Sequence, residues 1–175
     1  MGRVTLEHAA GQYDCYFVDD GYEEGQEICG AKIVGHIGDL DKLFTEYKNL
    51  VVSIGNNPLR ERIYKMAEKI GYSFPNIVCN SVYISPFAEV GDGCIFLNNA
   101  CIQNGSSVGK GVILNPGVEI HHDSIVKDYA LIYTNSVVRT MACIGKRAKI
   151  GSNCTISNNK QIAEDSVMED GTVEC

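Results

Sequence analysis

An apolar residue recurs at every sixth position through most of the second half of the chain. The series runs from Ile84 to Met168 without an insertion, and all fifteen of its positions hold an apolar side chain of the kind found in protein cores. An amphipathic helix would space its apolar residues by three and four positions, and a single strand would alternate them. A period of six instead indicates a short strand followed by a turn, which is the unit of a parallel β-helix. The members of the series are Ile84, Val90, Phe96, Ile102, Val108, Leu114, Ile120, Val126, Ile132, Val138, Ile144, Ile150, Ile156, Ile162 and Met168.

Three hexads make one triangular coil, so each inward residue is expected to stack on its equivalent one coil later. A small residue stands two positions before most members of the series and leaves room at the corner. Gly91, Gly109, Gly145 and Gly151 directly follow inward residues, where a tight corner has no room for a side chain. A β-sandwich with chance periodicity is the alternative, but the unbroken count disfavours it. The pattern therefore predicts a mostly β chain with a parallel β-helix over residues 77–175.

The first 76 residues lack this repeat and alternate strand-like with helix-like stretches. Such alternation indicates a small Rossmann-like α/β domain. Its helices are recognised by a capping aspartate, by a proline in the first turn and by a glycine at the end. The predicted elements are a strand over residues 13–18, a loop over 21–38, a helix from Asp39, a strand over 49–54, and a helix from Pro58 to about Ile70 that Gly71 ends.

Two polar pairs follow the predicted strands, at points where open α/β sheets bind ligands. Asp19-Asp20 follow the first strand and Gly55-Asn56 follow the second. A Rossmann-like unit ordinarily begins with a strand and a Gly-rich loop, yet this chain starts with Met1-Gly2-Arg3-Val4, which is typical of the beginning of a helix. We therefore expect the α/β domain over residues 1–76 to be truncated and to lack its first strand.

Composition narrows the classes of function. The 175 residues carry a net charge of −7, which argues against nonspecific nucleic-acid binding. The sequence has no apolar run long enough to span a membrane and no apolar leader at its start. The eight cysteines show no CxxC motif, and we expect them to be reduced in a cytoplasmic protein. No His, Cys and Asp residues have the spacing of metal ligands, so no metal is expected.

The order of these parts resembles the sugar acyltransferases of the sialic-acid O-acetyltransferase and bacillosamine N-acetyltransferase type, across essentially the whole chain. The resemblance implies a left-handed β-helix and transfer of an acetyl group from acetyl-CoA to an amino or hydroxyl group of a nucleotide-linked sugar. It also implies a homotrimer with active sites in the grooves between neighbouring β-helices. The matching stretches are Phe17-Val18-Asp19-Asp20, Val52-Ser53-Ile54-Gly55-Asn56-Asn57, Ile84-Ser85-Pro86, Gly111-Val112-Ile113-Leu114-Asn115 and His122-Asp123.

The resemblance further implies roles for individual residues. The catalytic histidine of the family corresponds to His122, and the acidic residue that follows it corresponds to Asp123. The positions implied for the nucleotide sugar are Gly2, Asp19, Asp20, Gly55, Asn56 and Asn115. The positions implied for acetyl-CoA are Leu131, Thr140, Gly151 and Ser152. Two of these depart from the family, which has a histidine where this chain has Leu131 and a glycine where it has Thr140.

The chemistry of His122 also follows from its residue type. A neutral imidazole, with an ordinary pKa near about 6.5, can take the proton that an amine loses as it attacks a thioester. Adjacent residues of an extended strand point to opposite sides. Asp123 is therefore expected to pair with His122 only if the chain turns there, and otherwise to meet the substrate amine. His121 is the rival base, and we expect it on the surface between Gln103 and Arg139.

Two further functions stay open at the level of the sequence. One is a catalytically degenerate homologue that serves as a sugar-nucleotide-binding or structural trimer, which the incomplete α/β domain and the lost glycines favour. The other is acetylation of a sugar hydroxyl, which differs from N-acetylation only in the acceptor. Asn115, His122 and Asp123 are all present, and they favour an acetyltransferase.

Overall fold

The N-terminal region holds all the helices of the protein. The computed structural model describes all 175 residues. A three-stranded sheet and the helices come first, and seventeen strands of two residues follow. None of the helices is long and apolar enough to cross a bilayer. The N-terminal elements are α1 (Gly2–Ala9), β1 (Phe17–Val18), β2 (Glu27–Ile28), β3 (Ala31–Gly35), a 3₁₀ turn (Ile37–Asp39), α2 (Leu40–Leu43) and α3 (Asn57–Ile70).

The remaining strands form three parallel sheets, which are the three faces of a coil. The first face consists of β4 (Ile77–Val78), β7 (Ile95–Phe96), β10 (Ile113–Leu114), β13 (Leu131–Ile132), β16 (Lys149–Ile150) and β19 (Val167–Met168). The second face consists of β5 (Tyr83–Ile84), β8 (Cys101–Ile102), β11 (Glu119–Ile120), β14 (Val137–Val138), β17 (Thr155–Ile156) and β20 (Val173–Glu174). The third face consists of β6 (Glu89–Val90), β9 (Ser107–Val108), β12 (Ile125–Val126), β15 (Cys143–Ile144) and β18 (Gln161–Ile162).

The predicted fold class is confirmed: a left-handed parallel β-helix follows a small α/β region. Each strand pairs in parallel with its equivalent one coil later, as Leu114 does with Ile132. The second residue of each strand points inward, and these residues, with the small corner residues, form one buried cluster of 19 side chains. The repeat extends one hexad beyond the apolar series at each end, to Val78 and Glu174. Stacking of the inward residues therefore supplies the core of the coils.

Two predictions for the N-terminal region are wrong. Residues 21–38 are not a loop, because β2 and β3 form an antiparallel hairpin there, and β3 also pairs in parallel with β1. Residues 49–54 are not a regular strand, because their only sheet pairing is an isolated bridge between Asn49 and Ser73. The Val52 amide donates instead to the Tyr64 hydroxyl at 3.2 Å. A side-chain oxygen thus takes the place of a strand partner.

The N-terminal region covers the first face of the coils. On β7, β10 and β13 the outward residues Ile95, Ile113 and Leu131 are as fully buried as the inward ones. Val51, from the extended segment before α3, packs against this group. The outward residues of the other two faces are mostly polar or partly exposed, as Glu119 and Ile125 are. The first face is therefore a docking surface within the chain.

Helix α3 lies where predicted and runs along the corner between the third and first faces. Asn56 caps its start by accepting from the Leu59 amide at 3.0 Å, and Gly71 ends it with a φ of 111°. The Tyr64 hydroxyl donates to the Gly93 carbonyl at 2.7 Å, and the side-chain Nδ2 of Asn57 donates to the Arg147 carbonyl at 2.7 Å. A helix rises about 1.5 Å per residue and neighbouring coils lie about 4.8 Å apart, so about three helical residues span one coil. The spacing of polar residues on α3 thus matches the stack of corner carbonyls.

Arg60 makes the central contacts of this docking. Its side chain is fully buried and donates five hydrogen bonds, to Gly111, Tyr129 and Ala130 of the coils and to Ile54 and Asn57 of its own region. No carboxylate is among these partners. Burial lowers the pKa of Arg60 to about 10, so the guanidinium remains charged at neutral pH. The charge is therefore balanced by carbonyl dipoles that two parts of the chain supply together.

Glu61, the next residue after Arg60 on α3, forms ion pairs with three basic side chains. Two of these, Lys146 and Arg147, belong to the coils and so join α3 to the corner between the third and first faces. The Glu61 carboxylate lies 2.7 Å from Lys65, 2.6 Å from Lys146 and 2.6 Å from Arg147. Burial alone would raise the pKa of this carboxyl, but the hydrogen bonds from Lys146, Lys65 and Arg147 outweigh burial and lower the pKa to about 2. The charged form of Glu61 is therefore the one that stabilises the docked helix.

This low pKa predicts an acid-dependent loss of stability that Glu61→Gln removes. A carboxyl whose pKa is depressed in the folded state contributes stability above its unfolded pKa, near about 4.5, and loses it as the pH falls towards the folded value. We expect the free energy of unfolding of the wild type to fall by roughly 3 kcal/mol more than that of Glu61→Gln between pH 6 and the acid limit. Urea unfolding at several pH values measures this. Glu68→Gln, at a more exposed position, is the matched control. Parallel pH profiles for wild type and Glu61→Gln would contradict the assignment.

Candidate active site

His122 and Asp123 form an ion-pair geometry at the corner between the second and third faces. The Nδ1 atom of His122 lies 2.8 Å from Oδ2 of Asp123. The backbone of Asp123 has a φ of 59°, in the left-handed region. This turn brings two adjacent side chains to the same side, which an extended strand would not do. The left-handed turn at Asp123 is therefore what allows its carboxylate to pair with His122.

The other nitrogen of His122 faces Thr140, one coil further along. The Oγ1 atom of Thr140 lies 3.1 Å from Nε2 of His122. Since a carboxylate at Nδ1 only accepts, Nδ1 carries the hydrogen of the neutral imidazole, and in that form Nε2 offers its lone pair to the Thr140 hydroxyl. The His122 side chain is 53% exposed and the Asp123 side chain 58% exposed. The three groups thus form a Thr–His–Asp chain of hydrogen bonds open to solvent.

The backbone of this corner is held by hydrogen bonds to the neighbouring coils. The His122 amide donates to Oε1 of Gln103 at 3.1 Å, and the Asp123 amide donates to the Asn104 carbonyl at 3.0 Å. The Met141 amide donates to the His122 carbonyl at 3.4 Å. His122 therefore sits on backbone fixed from the coils on both sides.

Gly105 makes room for the carboxylate of Asp123. A Cβ atom on Gly105 would lie 2.4 Å from Oδ1 of Asp123, and the φ of Gly105 is +68°. Neither Gly105 nor Gln103 was among the residues selected from the sequence. The six-residue repeat could have identified both. Gly105 precedes Asp123 by one coil and Gln103 precedes His121 by one coil, so both lie in the coil next to the candidate site.

His121 faces away from this group. Its Nε2 atom lies 3.3 Å from Oε2 of Glu119, the outward residue of β11. It lies on the second face in the column of Gln103 and Arg139, as expected from the repeat. The two histidines therefore have separate acidic partners, and only His122 contacts Thr140.

The residues expected to bind the nucleotide lie at one edge of the N-terminal sheet. A Cβ atom on Gly2 would be 3.3 Å from the Phe17 ring and 3.5 Å from Oγ of Ser53, so the start of α1 lies beside the ends of β1 and of the extended segment. Asp19 accepts from the Gly21 amide at 2.9 Å, and Asp20 accepts from the Ile37 amide at 2.8 Å. One oxygen of each carboxylate thus accepts a hydrogen bond from the backbone of this region.

Gly55 and Asn56 are exposed at the same end of the N-terminal region, close to the coils. A Cβ atom on Gly55 would lie 4.0 Å from the hydroxyl of Tyr133, which follows β13 on the first face. Asn115 occupies the equivalent position one coil earlier, is 7% exposed, and donates from Nδ2 to the Ile132 carbonyl at 3.1 Å. Asn115 thus lies at the corner between the first and second faces, and its hydrogen bond is to Ile132 and not to His122.

The remaining residues expected to bind acetyl-CoA lie on the first face or at its edge. Leu131 is fully buried beneath the N-terminal region. Gly151 is also buried, and a Cβ atom there would lie 2.6 Å from the amide nitrogen of Asp170. The Ser152 amide donates to Oδ1 of Asp170 at 2.6 Å. Of this set, Thr140 is the residue that the structure brings to His122.

The candidate residues therefore form two groups at different corners of the triangular β-helix. His122, Asp123 and Thr140 lie between the second and third faces. Asn115 lies at the corner between the first and second faces. The exposed edge around Gly55 lies close to Tyr133, which occupies the same corner one coil later. The structure contains no cluster of three or more His, Cys, Asp or Glu side chains arranged to hold a metal ion.

Comparison with known proteins agrees with the resemblance found in the sequence. Residues 1–67 match the family model of the PglD N-terminal domain. The acetyltransferase domain of PglB from Neisseria gonorrhoeae, solved in complex with acetyl coenzyme A, is 26% identical. The match covers 99% of this chain and 87% of that one, with a TM-score of 0.91.

A second solved structure has the same fold over a similar length. PerB from Caulobacter crescentus, in complex with CoA and GDP-perosamine, is 24% identical. The match covers 99% of this chain and 84% of that one, with a TM-score of 0.93. The resemblance to hexapeptide-repeat sugar acetyltransferases is thereby confirmed.

Proposed function

We propose that this protein is an acetyl-CoA-dependent acetyltransferase that acts on an amino group of a nucleotide-linked sugar, with His122 as the general base. The observation that carries the proposal is the Nδ1–Oδ2 contact of 2.8 Å between His122 and Asp123 at a solvent-exposed corner. The carboxylate fixes the tautomer that leaves Nε2 free of hydrogen, which is the form a base requires.

The chemistry expected of this pair is proton removal during attack on a thioester. As the amine nitrogen bonds to the acetyl carbon it must lose a proton, and the lone pair of Nε2 gains one in the same step. The carboxylate of Asp123 stabilises the imidazolium that forms. The bond from the acetyl carbon to sulfur then breaks, and the imidazolium can return its proton to the leaving thiolate. A sugar hydroxyl would be acetylated by the same steps.

The identities of the donor and acceptor rest on the relatives. The PglB domain was solved with acetyl coenzyme A and PerB with CoA and GDP-perosamine. We propose corresponding ligands here, with the nucleotide at the edge formed by Gly2, Asp19, Asp20, Gly55 and Asn56. That edge combines the start of α1 with exposed backbone at the ends of extended segments, which is where α/β proteins bind phosphates.

We also propose that the active form is a homotrimer. The two groups of candidate residues lie at different corners of one coil, so a single chain does not join them. Packing of one β-helix against another would place the His122 corner of one chain beside the Asn115 corner and the Gly55 edge of its neighbour. A cytoplasmic location is part of the same proposal, and the eight cysteines, all unpaired in the structure, are consistent with a reducing compartment.

The proposal predicts that the wild type binds acetyl-CoA and that His122→Ala binds it with a similar dissociation constant. His122 is argued to act on the acceptor, so its removal should leave the donor site largely intact. Isothermal calorimetry on both proteins measures this, with a target of one acetyl-CoA per chain. Absence of heat at millimolar acetyl-CoA would overturn the proposal and leave a sugar-nucleotide-binding or structural protein as the function. In that case titration with GDP-linked and UDP-linked sugars separates those two.

A further inference from the structure

Thr140 occupies the position that an acceptor would need in order to reach the base directly. Its Oγ1 lies 3.1 Å from Nε2, while Asp123 holds Nδ1 at 2.8 Å, so both nitrogens of His122 already have partners within the chain. Nε2 has a single lone pair in the plane of the ring, and the Thr140 hydroxyl donates to it. A substrate amine can therefore reach that lone pair only by displacing the hydroxyl or by acting through it.

The backbone around Thr140 is fixed, which keeps the hydroxyl near the histidine. The Thr140 carbonyl accepts from the Asn159 amide at 3.1 Å, and the Met141 amide donates to the His122 carbonyl at 3.4 Å. The preceding carbonyl, of Arg139, accepts from the Ser124 hydroxyl at 2.9 Å. Only the χ1 angle of Thr140 is free, and a β-branched side chain is stiff at that angle. Three hydrogen bonds thus fix the backbone that carries the hydroxyl, and the χ1 angle sets the position of Oγ1 beside His122.

From this geometry we propose that Thr140 is a proton relay between the acceptor and His122. The inference rests on the proposed acetyltransferase function. As the amine nitrogen bonds to the acetyl carbon, its proton passes to Oγ1 of Thr140, and the hydrogen already on Oγ1 passes to Nε2. Thr140 ends the step with one hydrogen, as it began. The carbon–sulfur bond breaks, and the proton on Nε2 later reaches the thiolate. The products are the acetamide and CoA.

The relay also places the acceptor. An amine that donates to Oγ1 of Thr140 sits one hydrogen bond further from His122 than one that contacts Nε2, on the solvent side of the coil corner. Met141, the next residue along the chain, is 56% exposed and follows Asp123 by one coil. The relay therefore places the acceptor amine against Oγ1 of Thr140 and not against the imidazole.

Two substitutions at one position separate the hydroxyl from the volume of the side chain. Thr140→Val keeps the shape and removes the hydroxyl, and Thr140→Ser keeps the hydroxyl. We expect Thr140→Val to lower kcat by about 10²-fold with little change in the KM for acetyl-CoA, because general acid–base contributions are of this size. Thr140→Ser should retain kcat within a few-fold. A larger solvent isotope effect on kcat is expected for the wild type than for Thr140→Val, since two protons move in the relay.

The outcomes distinguish this inference from the function on which it rests. If the wild type transfers acetyl groups and Thr140→Val matches or exceeds it, the relay is wrong, because the acceptor then displaces the hydroxyl. An acetyl ester on Thr140, sought by mass spectrometry after incubation with acetyl-CoA alone, would also overturn the relay, because Thr140 would then be a nucleophile. If the wild type neither binds acetyl-CoA nor transfers acetyl groups, the proposed function fails and the relay with it.

Discussion

His122→Ala is expected to lower kcat for acetyl transfer by about 10³-fold while the chain stays folded. The side chain is exposed and its removal leaves no cavity, so the loss reports chemistry and not stability. General base catalysis by a positioned side chain is worth about 10² to 10⁴ in rate, which sets the expected size. Release of CoA, followed continuously with a thiol reagent, measures kcat, and the far-UV circular dichroism and Tm of the variant establish that the fold is retained.

Two matched variants make this result specific to His122. His121→Ala removes a neighbouring imidazole whose partner is Glu119, so its kcat should stay within a few-fold of the wild type. Asp123→Asn keeps the size of the side chain and loses the charge that fixes the tautomer, so a large loss in kcat is expected for it as well. A His122→Ala variant with wild-type kcat would exclude His122 as the base, and a greater loss in His121→Ala would transfer the role to His121.

Arg60→Met is expected to lower the free energy of unfolding by about 3 to 5 kcal/mol. The guanidinium satisfies the carbonyls of Gly111, Tyr129 and Ile54, and methionine fills the space without donating to them. Unpaired buried acceptors cost about 1 to 3 kcal/mol each, and the relief of burying one charge offsets part of the sum. Urea unfolding at neutral pH, followed by circular dichroism, measures the difference.

The neighbouring arginine supplies the control for this prediction. Arg62 lies two residues along the same helix but is exposed, so Arg62→Met should change the free energy of unfolding by less than about 0.5 kcal/mol. Arg60→Lys keeps the charge and loses most of the donors, and an intermediate loss is expected. Equal stability of Arg60→Met and Arg62→Met would show that the carbonyls find other donors and that Arg60 does not hold the helix to the coils.

The β-helix was predictable because the residue pattern within each hexad specifies its local structure. A core-type residue every six positions, with a small residue two before it, forms the same turn of coil wherever it occurs, and neighbouring hexads reinforce it. The same periodicity placed Thr140 one coil after His122, and the structure finds the two side chains in contact. A repeat thus converts distance along the chain into position in space.

The N-terminal region was predicted less well, because its extended segments are defined by partners elsewhere. Residues 49–54 have the composition of a buried strand, yet Val51 is covered by the coils and Val52 bonds to Tyr64. The hairpin of β2 and β3 lies in a polar stretch whose glycines are also typical of a loop. The burial of Val51 comes from contact with the first face, which no local pattern reveals.

The sequence by itself determined the coils and helix α3 with its terminal Gly71, since both depend on local spacing, while His122-Asp123 was singled out by its resemblance to a family motif. Only the tertiary structure decided that Asp123 turns back to face Nδ1, that Oγ1 of Thr140 lies within hydrogen-bond distance of Nε2, and that Asn115 donates to the Ile132 carbonyl. It also decided that Arg60 is fully buried among carbonyls of two neighbouring coils. The physical reason is the same in each case: a side chain's hydrogen-bond partner is chosen by which backbone corner lies beside it, and stacking and docking set that neighbour.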